Sequence, residues 1–150
     1  MKFINLFKGL VCLTLFITSS SFALSNEQQI ATLLSSTFDN PTAKVKTSPI
    51  VVEGDIAIAD WIQGEKGGRA LLKKSKDKWE ITACGGGGFK HPEALIQAGV
   101  QQSVANRLTT KLADAEKKLS AKQIQMFDSF GETVSMDRGH DNHHQQMNKH

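Results

Sequence analysis

Tyrosine is missing from this chain, and cysteine, proline and tryptophan are scarce, at two, three and two residues in 150. Without tyrosine no phenol can serve as a general acid. Asp55, Asp60 and Glu80 are acids that could line a cavity, as in isomerases of the transport-factor-like fold. No histidine or serine stands in a matching arrangement, so the chain does not read as an enzyme. A nucleophilic Cys84 working with His91 would need a third, orienting group, and nothing identifies one. The four glycines Gly85 to Gly88 precede a helix but lack the Gly-Lys-Ser/Thr ending of a phosphate-binding loop.

No apolar run reaches the roughly 20 residues that a membrane-spanning helix needs. The longest, Leu10 to Ile17, follows a positive segment with Lys2 and Lys8. Ser21-Phe22-Ala23 then offers small residues at the two positions that signal peptidase reads. Residues 1–23 are therefore expected to be a signal peptide cleaved after Ala23, giving a periplasmic protein that does not span the membrane. Loss of Lys2 and Lys8 from the 18 basic residues leaves 16 against 15 acidic ones. A chain so nearly neutral, with its charges interspersed, has no nucleic-acid footprint. The cysteine count falls to one, so Cys84 has no internal disulfide partner and is inert, a ligand, or an intermolecular partner.

Residues 24–134 suit a single α+β domain. Ser25-Asn26-Glu27-Gln28 has the form of a capping box, opening a helix to about Phe38 with Ile30, Leu33, Leu34 and Phe38 on one face. Ser48 to Glu53 reads as a strand beginning beside a proline, Gly54-Asp55 as a turn, and Asp55 to Gln63 as a second strand. Arg69 to Leu72 and Trp79 to Cys84 form a hairpin about the polar turn Ser75 to Lys78. Strict alternation puts Trp79, Ile81 and Ala83 on one face and Cys84 on the other. Together these make an antiparallel meander of three or four strands. Helices follow and pack on one face: a short one from Pro92, a longer one over about Gln101 to Leu119 with Val104, Leu108, Leu112, Ala115 and Leu119 in a stripe, and one opened by the second capping box, Ser120 to Gln123. The order of elements is similar to a reduced cystatin- or nuclear-transport-factor-like fold.

From Ser135 the apolar period ends, so residues 135–150 are expected to be a disordered tail. Four of the five histidines and two of the four methionines fall there: Met136, His140, His143, His144, Met147 and His150. Imidazole suits Cu(II) and zinc, whereas thioether and thiolate select Cu(I), so the mixture points to copper. Cys84, with His91 seven residues on, offers a further sulfur and nitrogen. Met126 sits at helical spacing with Phe127 and Phe130 and reads as core.

Val52-Glu-Gly-Asp-Ile-Ala-Ile-Ala-Asp-Trp61, the run Gln63-Gly-Glu-Lys-Gly-Gly-Arg-Ala-Leu-Leu72, and Trp79 to Gly86 with its Ala-Cys-Gly-Gly end resemble the small exported "copper uptake system-associated" proteins of Gram-negative bacteria. Ala98-Gly99-Val100, the Ala115-Glu116 helix, Phe127 to Phe130 and the histidine-bearing end extend the likeness to about residues 50–144. The resemblance implies copper handling at the cell envelope beside a membrane copper importer or a periplasmic copper chaperone. It implies ligands at Cys84, Met136, His140, His143 and His144, and no catalytic residues. Two other readings stay open: a transport-factor-like module holding a small apolar ligand, and an interaction module binding a partner through the Gly64 to Gly68 loop.

Overall fold

A computed structural model describes residues 23–131 and 134–136. The element order is α1 (Asn26–Phe38), β1 (Val45–Glu53), β2 (Ile56–Gln63), β3 (Lys66–Ser75), β4 (Lys78–Gly85), a 3-10 turn (Gly87–Lys90), α2 (Pro92–Gln97), α3 (Gln102–Glu116), α4 (Ala121–Asp128) and β5 (Val134–Ser135). The strands form one antiparallel sheet in sequential order. This is the expected α+β meander with one strand more than the pattern suggested. No helix among the described residues is long and apolar enough to cross a membrane.

Local chemistry fixes the element ends. In both capping boxes the serine oxygen accepts the backbone N–H three residues on, at 3.2 Å for Gln28 and 3.3 Å for Gln123. Each glutamine returns the bond by accepting the serine N–H. Two otherwise orphaned donors are satisfied at each helix start. Lys76 and Asp77 both take positive φ, 48° and 63°, the twist that a two-residue hairpin turn requires.

The sheet is covered on both faces, which explains why its strands lack a clean polar face. Ile58, Leu71 and Ala83 pack with Val51, Phe89, Leu95, Leu108 and Leu112 beneath α2 and α3. Ala57, Ala59, Ala70, Leu72 and Trp79 pack with Ile30 and Leu34 of α1 on the opposite face. Along α3 the inward positions are Ala105, Leu108, Leu112 and Glu116, with Val104 and Ala115 half-buried at the margin. Glu53 fastens β1 to α3 by accepting from Arg107 Nε at 2.6 Å and Lys111 Nζ at 2.7 Å.

Three expectations change. Leu71 pairs with Ala83 but Leu72 with Ile81, so Thr82 is an extra residue and β4 carries a bulge there. One inserted residue shifts the alternation by one. Cys84 therefore lies on the same face as Trp79 and Ile81, beneath α1, and not on the face away from the tryptophan. Strand β1 starts at Val45, three residues earlier than the proline suggested. Its register slips between Thr47 and Ile50, leaving Pro49 where no ladder bond is demanded of it. Finally, Val134 and Ser135 pair with Cys84 and Ala83 at the edge of β4, so the chain still belongs to the sheet where a tail was expected to begin. The tail positions His140, His143, His144, Met147 and His150 lie outside the described residues.

Gly67 and Gly68 do not form a free loop. Both are buried in β3, which leaves only Gly64, Glu65 and Lys66 of that segment exposed. A Cβ on Gly67 would stand 2.9 Å from the Met126 carbonyl oxygen and 3.1 Å from that of Trp61. Backbone cannot retreat as a side-chain tip can. Gly67→Ala should therefore lower stability by about 1–3 kcal/mol, read as a lower denaturant midpoint at an unchanged slope. An unchanged midpoint would mean that α4 does not press on β3.

Candidate functional site

Two features stand out at the end of the sheet where α4 and β5 meet it. The first is an apolar pocket of about 200 Å³, lined by Phe38, Trp61, Gln63, Cys84, Phe130, Val134 and Met136. The chain leaves α4 and brings Phe130 to the α1 face, where its ring meets Trp61 edge-on at 5.6 Å and 79°. The bulge at Thr82 turns Cys84 into the same space, and β5, laid along β4, carries Met136 to it. Two sulfur-bearing residues distant in sequence thus line one pocket. Cys84 is 6% exposed and Met136 42%, so the thiol sits inside and the thioether at the mouth. Burial pushes the Cys84 thiol pKa up, because an apolar surround disfavours the thiolate. The Gln63 side-chain NH2 donates to the carbonyls of Phe38 at 2.7 Å and Ala43 at 3.2 Å. The Trp61 indole nitrogen is buried without a hydrogen-bond partner.

The second feature lies beneath the pocket on the other face of the sheet. Arg69 is fully buried. Its Nε and Nη2 donate to Glu116 Oε1 at 2.9 and 2.6 Å, and its Nη1 donates to Asp128 Oδ1 at 2.7 Å and the Gly86 carbonyl at 3.1 Å. The Phe127 ring stacks under the guanidinium, 5.7 Å to its centre. Asp60, paired in register with Arg69, is also fully buried. Its nearer oxygen lies 3.5 Å from Nε, and neither oxygen accepts a hydrogen bond; in its protonated form the carboxyl has Glu116 as a partner to donate to. Burial raises the Asp60 carboxyl to about 8; Arg69 opposes this, while the negative Glu116, a hydrogen bond shared with Glu116, and the negative Asp128 add to it. Asp128 goes the other way. Its partial burial works against the charge, but hydrogen bonds from Arg69 and Lys90 hold it below the usual carboxylate range. With Asp60 protonated, Arg69 balances Glu116 and Lys90 balances Asp128.

This cluster ties the walls of the pocket together. Asp60 precedes Trp61, Asp128 lies two residues before Phe130, and Gly86 two after Cys84. Arg69 touches all three segments.

The structure brings Cys84 and Met136 together and leaves His91 out. His91 is exposed, occupies the N-cap position of α2 and does not line the pocket. The expected sulfur–nitrogen pairing of Cys84 with His91 is therefore not formed, and Cys84 instead shares its pocket with Met136. Among the described residues no three His, Cys, Asp or Glu side chains gather into a metal site. Nor do Asp55, Asp60 and Glu80 converge: Asp55 and Glu80 are exposed while Asp60 is inside. Comparison of the chain with family models, with curated proteins and with solved structures gives no match.

Sequence reasoning passed over Arg69, Glu116 and Asp128, though two of them left a trace. Glu116 continues the Leu108, Leu112 stripe at a spacing of four, and Arg69 shares the inward phase of Leu71. A charge in a core phase calls for a partner of opposite charge in another core phase.

Proposed function

We propose that this protein is a periplasmic copper-binding accessory for copper uptake or buffering, and not an enzyme. One observation carries the reading: Cys84 and Met136, distant in sequence, line one apolar pocket. Thiolate and thioether are the soft donors that copper prefers in its reduced state. The histidine-bearing segment follows Met136 in sequence. The likeness to copper uptake system-associated proteins points the same way. In this scheme the tail captures copper, the pocket retains it, and a membrane copper importer or a periplasmic copper chaperone takes it by ligand exchange.

Metal analysis after exposure to copper and desalting tests this. Residues 24–150 should retain one firmly held equivalent that Cys84→Ser loses, and a looser fraction lost when His140, His143, His144 and His150 become asparagine. Equal retention by all forms, or none above that of an unrelated protein of similar charge, would overturn the proposal.

The aromatic walls favour a second reading, a site for a small apolar ligand. A solvatochromic dye that fills the pocket and is indifferent to copper would support that module instead.

A further inference from the structure

We infer that the end of α4, from Met126 to Phe130, is a strap that comes away from the sheet ahead of the rest of the fold, and that ionisation of Asp60 releases it and opens the pocket. Such opening is independent of the copper reading and of what the pocket holds.

The strap lands on glycine. A Cβ on Gly67 would stand 2.9 Å from the Met126 carbonyl oxygen, one on Gly68 2.9 Å from the Phe130 ring, and one on Gly86 2.8 Å from the Asp128 carbonyl oxygen. At these three points the sheet offers bare backbone, with no side chain to interlock. The grip is Arg69. Helix α4 buries a single residue, Phe127, whose ring lies 5.7 Å from the guanidinium, and Asp128 accepts from Nη1 at 2.7 Å. By contrast α3 buries five residues, Ala105, Leu108, Thr109, Leu112 and Glu116. Of the helices that Arg69 joins to the sheet, α4 is held by the fewer buried side chains, and such segments open at the lowest cost.

Charge supplies the trigger. Asp60 faces Arg69 of β3, Glu116 of α3 and Asp128 of α4, while β1 passes it at Ser48 and Pro49, between the Thr47 and Ile50 pairings. Lys90 of the 3-10 turn reaches the group through Asp128, at 3.1 Å. With its proton Asp60 is neutral, and two cations match the two remaining carboxylates. Without it a third carboxylate accepts no hydrogen bond among the described residues and faces two like charges. An uncompensated buried charge is costly. Asp128 is the one acid of the three with a route to water, its side chain 35% exposed against 0% for Asp60 and 7% for Glu116. Relief therefore comes at α4: Asp128 moves out, Phe127 and Phe130 follow, and solvent reaches Asp60. Phe130 is a wall of the pocket, so the pocket opens with it. The proton chooses between the two states. Burial above all lets Asp60 keep it up to about 8 when the strap is closed, against an ordinary value of 3.8 once hydrated, and that difference in affinity shifts the population as pH rises.

Hydrogen exchange on the mature chain, residues 24–150, tests this from pH 5 to 8 with intrinsic rates divided out. In the parent the Ile124 to Asp128 amides should be less protected than Ala57 to Ala59 and Ala70 to Leu72 at the centre of the sheet. Their protection should fall about tenfold per pH unit, as one proton released on opening requires. Asp128 adds no slope, because despite its partial burial the hydrogen bonds from Arg69 and Lys90 keep it charged over this range. Asp60→Asn should hold the α4 protection level with pH. Gly86→Ala touches no charge but forces the Asp128 carbonyl off the sheet. It should lower α4 protection at least tenfold at pH 6, and by more than it lowers that of the central strands. Equal protection of α4 and the central strands at every pH would mean that α4 opens only when the whole domain unfolds, and would overturn the inference. The same pH slope in Asp60→Asn as in the parent would overturn it too.

Discussion

Replacing Arg69 with alanine should cost about 3–5 kcal/mol of stability, the range found when one member of a buried ion pair is removed. Domains of this size are stable by only about 5–15 kcal/mol, so the variant should melt far below the parent or express as insoluble chain. Arg69 and Asp60 are fully buried and Glu116 is 7% exposed. Without the guanidinium, Glu116 keeps its burial and loses both of its short bonds, and the Gly86 carbonyl loses its donor. Arg69→Lys should be nearly as damaging. An ammonium is a point charge and cannot span Glu116, Asp128 and Gly86 with one planar fork. A combined Arg69→Met, Asp60→Leu, Glu116→Leu variant separates charge from shape. Filling the site with apolar groups should recover much of the loss, since such swaps are often neutral or better. If Arg69→Ala has the midpoint of the parent in a denaturant titration, the cluster does not hold α3 and α4 to the sheet.

This cluster also marks where the sequence stops being legible. Helix starts were readable because a capping box is a local device: Ser25 with Gln28 and Ser120 with Gln123 act within one turn. The meander was readable because its strands are joined by short turns with recognisable residues. The face of Cys84 is not legible in the strand itself, for a physical reason. A bulge depends on how β4 pairs with β3, and no feature of Trp79 to Cys84 alone declares that Thr82 is the extra residue. The pocket was hidden by the same limit. Cys84 and Met136 were each singled out for their chemistry, but their convergence depends on β5 lying along β4. The Arg69 partners come from β2, α3 and α4, up to 59 residues away, and only a solved topology pairs them. Asp60 and Glu116 are legible singly as charges in an apolar phase, whereas Asp128 is not.

Stability should fall as pH rises from about 4 to about 8, and Asp60→Asn should remove most of that slope. In the unfolded chain Asp60 is an ordinary carboxyl with a value near 3.8, while in the fold it is raised to about 8. Between those values the folded state holds a proton that the unfolded state has released. Linkage then requires stability to decrease with pH across the window. The contribution is fully present below about 3.8 and is lost as pH climbs to about 8, at no more than roughly 1.4 kcal/mol per unit. Asp128 has the opposite sign: held low by Arg69 and Lys90, it contributes above its ordinary value and less in acid. Its exposure, 35% of the side chain, makes that effect the smaller one. Of these two opposing contributions the decline set by Asp60 is the larger above the ordinary carboxylate range. Asp60→Asn keeps the shape and cannot ionise, so its denaturant midpoint should stay nearly level from pH 5 to 8 and exceed that of the parent at pH 8. The same slope in both proteins would mean that Asp60 is ionised in the fold and counted among the partners of Arg69. That arrangement would leave Arg69 facing three carboxylates with one charge. It is hard to reconcile with an Asp60 carboxylate that accepts no hydrogen bond in a site closed to water.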